Sequence, residues 1–109
     1  MIERSLNTRR PDVEMKQKLK ELFERLDVER PEVYFEPGPA DYRIVPVVVS
    51  PSFETMEEND RQLLVWEAIL DELTDYEQQA IDTVFTFSPT EFAALIAGAD
   101  PAYRPVPWG

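Results

Sequence analysis

The stretch Tyr42-Arg43-Ile44-Val45-Pro46-Val47-Val48-Val49-Ser50 constrains this chain more than any other. Five of its residues are Val or Ile, whose branched side chains lose freedom in a helix and pack well on a pleated sheet. The run therefore predicts a well-buried strand. Pro46 within it removes a ladder donor, so a bulge or a sheet edge is expected there.

A buried strand needs partners on either side and a cover above. Glu32 to Glu36 reads as a short strand, closed by Pro37-Gly38-Pro39 into an antiparallel pair with the first run. Ala80 to Phe87 alternates as a third strand. The cover comes from helical periodicity. From Asp12, a plausible N-cap, Met15, Leu19, Leu22, Phe23 and Leu26 recur at three and four residues, and Pro31 prevents continuation. After a connector at Pro51 to Asp60 with at most one helical turn, Leu63, Val65, Trp66, Ile69, Leu70 and Leu73 are expected to face a core. Ser88-Pro89-Thr90-Glu91 combines a capping box with Pro at the first helical position, and that helix stops near Gly98. The order α-β-β-α-β-α implies an α+β, two-layer domain, a three-stranded mixed sheet with helices on one face.

At 109 residues the chain fits one domain. Residues 1–11 read as a flexible basic arm, 12–98 as the domain, and 99–109 as a tail rich in Pro and aromatic residues. The chain has no cysteine and no histidine. Thiolate nucleophiles, disulfides, imidazole bases and the commonest metal ligands are therefore excluded, and no catalytic, cofactor or metal residue is assigned. The net charge of −11 has the wrong sign for general phosphate binding. No run reaches the ~18 apolar residues of a membrane span, so a cytoplasmic location is expected.

Several residues resemble the BolA-like family, whose fold is related to the type II KH arrangement. Val47-Val48-Val49-Ser50-Pro51-Ser52-Phe53 matches that family's strand ending in Val-Ser-x-x-Phe. Arg61-Gln62-Leu63 aligns with its Arg-His-Arg helix triplet, followed by Trp66 and Asp71-Glu72-Leu73. Thr86-Phe87-Ser88 and Pro89-Thr90-Glu91-Phe92 match its closing strand and helix. The resemblance implies the fold, and it implies histidines that share an iron–sulfur cluster with a monothiol glutaredoxin. Those positions are changed here: Gln62 stands in the triplet, Ala80 stands at or beside the site before the third strand, and the loop between the first two strands is Pro37-Gly38-Pro39-Ala40. Iron needs a thiolate or imidazole from this side, and neither is present.

The KH loop that clamps phosphates is Gly-x-x-Gly, whereas the equivalent place here is Glu54-Thr55-Met56-Glu57. The acids Glu54, Glu57, Glu58 and Asp60 lack the spacing of a calcium loop and read as a solvated turn. Trp66, Phe53, Phe85 and Phe87 sit at helical and alternating spacing and read as core. Thr83 and Ser50 have no base beside them. The expectation is a non-enzymatic BolA-like protein-interaction or regulatory module that has lost iron–sulfur ligation. The alternative is a weak nucleic-acid binder on the KH-like scaffold. Partner-binding candidates are Arg61, Gln62, Tyr103, Arg104 and Trp108. The prolines at 101, 105 and 107 should keep the tail extended and non-helical, docked either on its own domain or on a second copy in a homodimer.

Overall fold

A computed structural model of the chain describes residues 11–37 and 43–108. The basic arm before Pro11 and the turn Gly38-Pro39-Ala40 lie outside the described residues, as does Tyr42. The elements are α1 (Pro11–Glu24), β1 (Glu32–Phe35), β2 (Pro46–Val49), α2 (Glu58–Glu72), α3 (Asp75–Gln78), β3 (Phe85–Phe87), α4 (Pro89–Gly98) and β4 (Val106–Pro107). Single 3-10 turns at Pro51–Thr55 and Pro101–Tyr103 precede α2 and β4.

The chain is α+β, but its sheet has four strands rather than three, in the order β3-β2-β1-β4. β1 pairs antiparallel with β2 and with β4, and β2 pairs parallel with β3. Pro46 is neither at a bulge nor at an edge. It is the first residue of the central strand β2, opposite Phe35, where a missing donor is tolerated. The third strand is shorter than its alternation suggests, because Asp82 and Thr83 both turn outward and only a bridge from Ile44 to Ile81 precedes β3.

Side-chain alternation divides the sheet. Val33, Phe35 and Val48 face a core shared with Leu19 and Phe23 of α1 and with Val65 and Ile69 of α2. Tyr34, out of phase with its neighbours, aligns with Val47, which aligns with Phe85. That second face meets Phe92 of α4, whose ring lies 4.6 Å from Tyr34 and 6.2 Å from Phe87. The helices therefore do not share one face: α1 and α2 cover one side, and α4 lies against the other.

Local signals explain most boundaries. α1 starts at Pro11, whose lost N–H is an orphan donor at that position anyway, so Asp12 falls inside the helix rather than capping it. Ser88 and Glu91 close both halves of a capping box on α4. The polar stretch after α2 forms the short helix α3 through the same pattern, Thr74 with Glu77. Ser50 explains the Val-Ser-x-x-Phe stretch. Its hydroxyl donates to Glu29 O at 2.6 Å and accepts from Ser52 N at 3.1 Å, while Phe53 is fully buried. This ties the turn after α1 to the corner after β2.

Candidate interaction surface

Consecutive helical residues point about 100° apart, so Arg61, Gln62 and Leu63 have three different environments on α2. Arg61 is 7% exposed. Its Nε donates to Met56 O at 3.0 Å, and Nη1 donates to Thr86 O at 3.2 Å and to Glu91 Oε1 at 2.8 Å. Nη2 donates to Phe53 O and, at 3.4 Å, to Glu91 Oε2. These five bonds use the five N–H donors of the guanidinium. The Phe53 ring packs against it, 5.6 Å away. Arg61 is thus a structural junction, closed to a partner or a phosphate. The Arg61 hydrogen bond, followed by that from the Ser88 backbone N–H, holds the Glu91 carboxyl below its ordinary range.

Gln62 lies sideways and half-buried. Its amide nitrogen donates to Val84 O at 3.0 Å and to Glu58 at 3.1 Å, and its oxygen accepts from Trp66 Nε1 at 3.2 Å. It fastens α2 to the segment entering β3.

Leu63 points outward. It is 61% exposed, and Leu70, one heptad later, is 60% exposed. The apolar spacing of α2 places both in the core, and the structure places both outside it. The buried row is instead Arg61, Val65, Ile69 and Leu73, each four residues on, and a helix cannot also turn Leu63 and Leu70 to that side. Arg61 supplied the first inward position, which a purely apolar pattern passes over. With half-buried Trp66, Leu63 and Leu70 form an exposed apolar stripe at i, i+3 and i+7, flanked by exposed Asp60, Glu67 and Asp71.

The tail candidates lie at the opposite edge of the sheet from β3, so the five candidate residues do not form one site. Trp108 docks on its own domain. Its ring meets Phe35 edge-on at 6.0 Å, its Nε1 donates to Gln17 Oε1 at 3.0 Å, and Lys16 Nζ sits 5.5 Å from the indole. Tyr103 is exposed, while Arg104 is half-buried with an Nε that has no hydrogen-bond partner among the described residues. The segment is not wholly extended, because Asp100 caps a 3-10 turn with Pro101 at its start.

The sheet's second face carries aromatic rings outside the main core. Phe85 and Phe87 stack at 6.1 Å, and Phe85 remains partly exposed. Beside Phe92, a shallow groove of about 220 Å³ is lined by Arg30, Val49, Pro51 and Pro89. Tyr34 donates to Glu32 Oε1 at 2.9 Å. Burial, then that hydrogen bond and the Glu32 charge, push the Tyr34 hydroxyl up to about 12.

Glu54, Glu57, Glu58 and Asp60 are all exposed, and among the described residues no group of three or more acids is placed to hold a metal ion. No family model, curated protein or solved structure matches the chain.

Proposed function

We propose that this chain is a non-enzymatic protein-interaction module on a BolA-like scaffold without iron–sulfur ligation, and that its partner docks on the outer face of α2. The observation carrying the docking surface is the pair Leu63 and Leu70, each about 60% exposed on a well-formed helix. Large apolar side chains in such a row mark contact surfaces, because burying them against a partner is favourable by roughly 1.5–3 kcal/mol each. Support for the scaffold comes from the positions that carry the resemblance. Ser50, Phe53, Arg61 and Glu91 all make contacts that hold the fold together. Support for the lack of ligation and of catalysis is chemical: the sequence holds neither thiol nor imidazole.

Nucleic-acid binding gains no support. Arg61 is buried and fully bonded, and exposed carboxylates occupy the connector before α2. The test of the docking surface is affinity capture from source cells with the wild-type chain and with Leu63→Ser/Leu70→Ser, after circular dichroism shows equal folding. A specific protein retained by the wild type and lost from the variant is the expected result. Identical captured sets would overturn the reading.

A further inference from the structure

Resting on the reading of α2 as the docking surface, we infer that its partner presents a basic amphipathic helix. The shape argument comes from the stripe itself. Leu63 and Leu70 are seven residues apart, which is about 10 Å along a straight helix, with Trp66 between them. A ridge with heptad spacing is complemented by a second helix with its own apolar row at i, i+3 or i+4, and i+7.

The charge argument fixes the sign. From Glu57 to Gln79 the sequence carries eight acids and one base, and that base is the buried Arg61. Glu72 is matched by Arg25, just after α1, and Glu77 by Lys18 of α1. Asp60, Glu67 and Asp71 are exposed, and none has an ion pair to another described residue. An apolar ridge rimmed by unmatched carboxylates complements a helix with Lys or Arg beside its apolar row, and it repels acidic ones. It also disfavours a second copy of this chain, since facing α2 helices would bring the same carboxylates together at −11 per chain.

The probe is a labelled 18-residue helical peptide with leucines at i, i+3, i+4 and i+7 and lysines flanking them, compared with peptides carrying Gln or Glu in place of Lys. Binding to the full chain is read by fluorescence anisotropy at about 150 mM salt, where long-range attraction is screened beyond about 8 Å. The Lys peptide should bind roughly tenfold tighter than the Gln peptide, with the Glu peptide weakest. Leu63→Ser/Leu70→Ser, which leaves every charge in place, should weaken the Lys peptide by roughly tenfold or more. Glu67→Lys should weaken it several-fold more than Glu36→Lys, which makes the same charge change at the exposed position just after β1. If the Gln or Glu peptide binds as tightly and still depends on the two leucines, the docking surface stands and its basic partner is overturned. A Lys peptide indifferent to the leucines overturns both. Concentration-dependent self-association lost in the leucine variant would assign the surface to a second copy. Amide shifts along α2 caused by Arg9→Ala/Arg10→Ala would assign it to the chain's own first ten residues, and either result overturns the inference.

Discussion

Arg61 on α2 and Glu91 on α4 are joined at 2.8 Å across the end of the outer strand β3, and the same carboxylate oxygen accepts from Ser88 N to cap α4. One side chain thus links the helix on one sheet face to the helix on the other, and it also binds the carbonyls of Phe53, Met56 and Thr86. Removing it strands those carbonyls and one half-exposed carboxylate. Arg61→Ala should cost about 2–4 kcal/mol in urea unfolding, below the largest losses for buried pairs because Glu91 retains water. Arg61→Lys should recover little, since an ammonium cannot span the fork. A loss under about 1 kcal/mol for Arg61→Ala would mean the junction is not a structural one.

Acid should act through the same residue. Glu91 is held below the ordinary carboxylate range by the Arg61 hydrogen bond first and the Ser88 N–H second. Its folded pKa is therefore the depressed one, and the unfolded chain binds more protons as pH falls below about 4.3. The stability it contributes is present above that point and is lost as pH falls through its folded pKa. Glu77, lowered by Lys18 and by the Thr74 backbone, adds in the same direction. Melting temperature followed from about pH 6 to about pH 2.5 should fall less steeply for Glu91→Gln/Glu77→Gln than for wild type. Parallel curves would refute this.

The two sides of α2 make a sharp comparison. Ile69 is fully buried and Leu70 is 60% exposed. Ile69→Ala should cost about 2–5 kcal/mol, whereas Leu70→Ala should stay below about 1 kcal/mol, because most of its side chain is already in water. Equal losses would mean that the helix is rotated from the described position.

That comparison also shows where the sequence is silent. The β-branched run and the Ser88 cap were readable because their signals are local: branching at Cβ, and a hydroxyl three residues before a carboxylate. The cap on α3 carries the same Thr-x-x-Glu signal and was equally available. The inward face of α2 was not, because its first buried member is an arginine whose acceptors come from the connector before α2, from β3 and from α4. β4 was hidden for a related reason. Val106-Pro107 has no strand signature of its own, and it pairs because β1 offers an open edge. Residue type alone marks Arg61 and Tyr103 alike as contact residues, and only tertiary packing separates the buried Arg61 from the exposed Tyr103.

Alkaline conditions should reveal Tyr34. Its hydroxyl is pushed up to about 12, chiefly by burial and then by donating to Glu32. Between about pH 10 and that value the unfolded chain ionises and the folded one does not, so stability falls as pH rises. Absorbance titration at the phenolate band should show a step near that value, and Tyr34→Phe should abolish it. In the wild type, a single step near pH 10 would contradict the burial of this ring beside Phe92.

The C-terminal segment gives the final expectation. Val106 and Pro107 pair with Phe35 and Tyr34 of β1, and Trp108 closes over Phe35 while its indole N–H reaches Gln17 on α1. Lys16 lies 5.6 Å from the Phe35 ring and 5.5 Å from the Trp108 ring, so α1, β1 and β4 meet at one place. These contacts cover an edge strand that would otherwise offer its free N–H and C=O groups to another chain. Trp108 is only half-buried, so Trp108→Ala should cost about 1–2 kcal/mol, less than a fully buried aromatic. Deleting residues 101–109 should lower the melting temperature by at least as much and should also increase self-association at high concentration, because β1 is left open. Lys16→Gln should reproduce a small part of the loss, as expected for a partly hydrated cation–π contact of about 0.5–1 kcal/mol. Sedimentation and thermal unfolding of the three variants separate the roles. A truncated chain that stays monomeric and melts at the wild-type temperature would show that the tail neither stabilises the domain nor guards its edge.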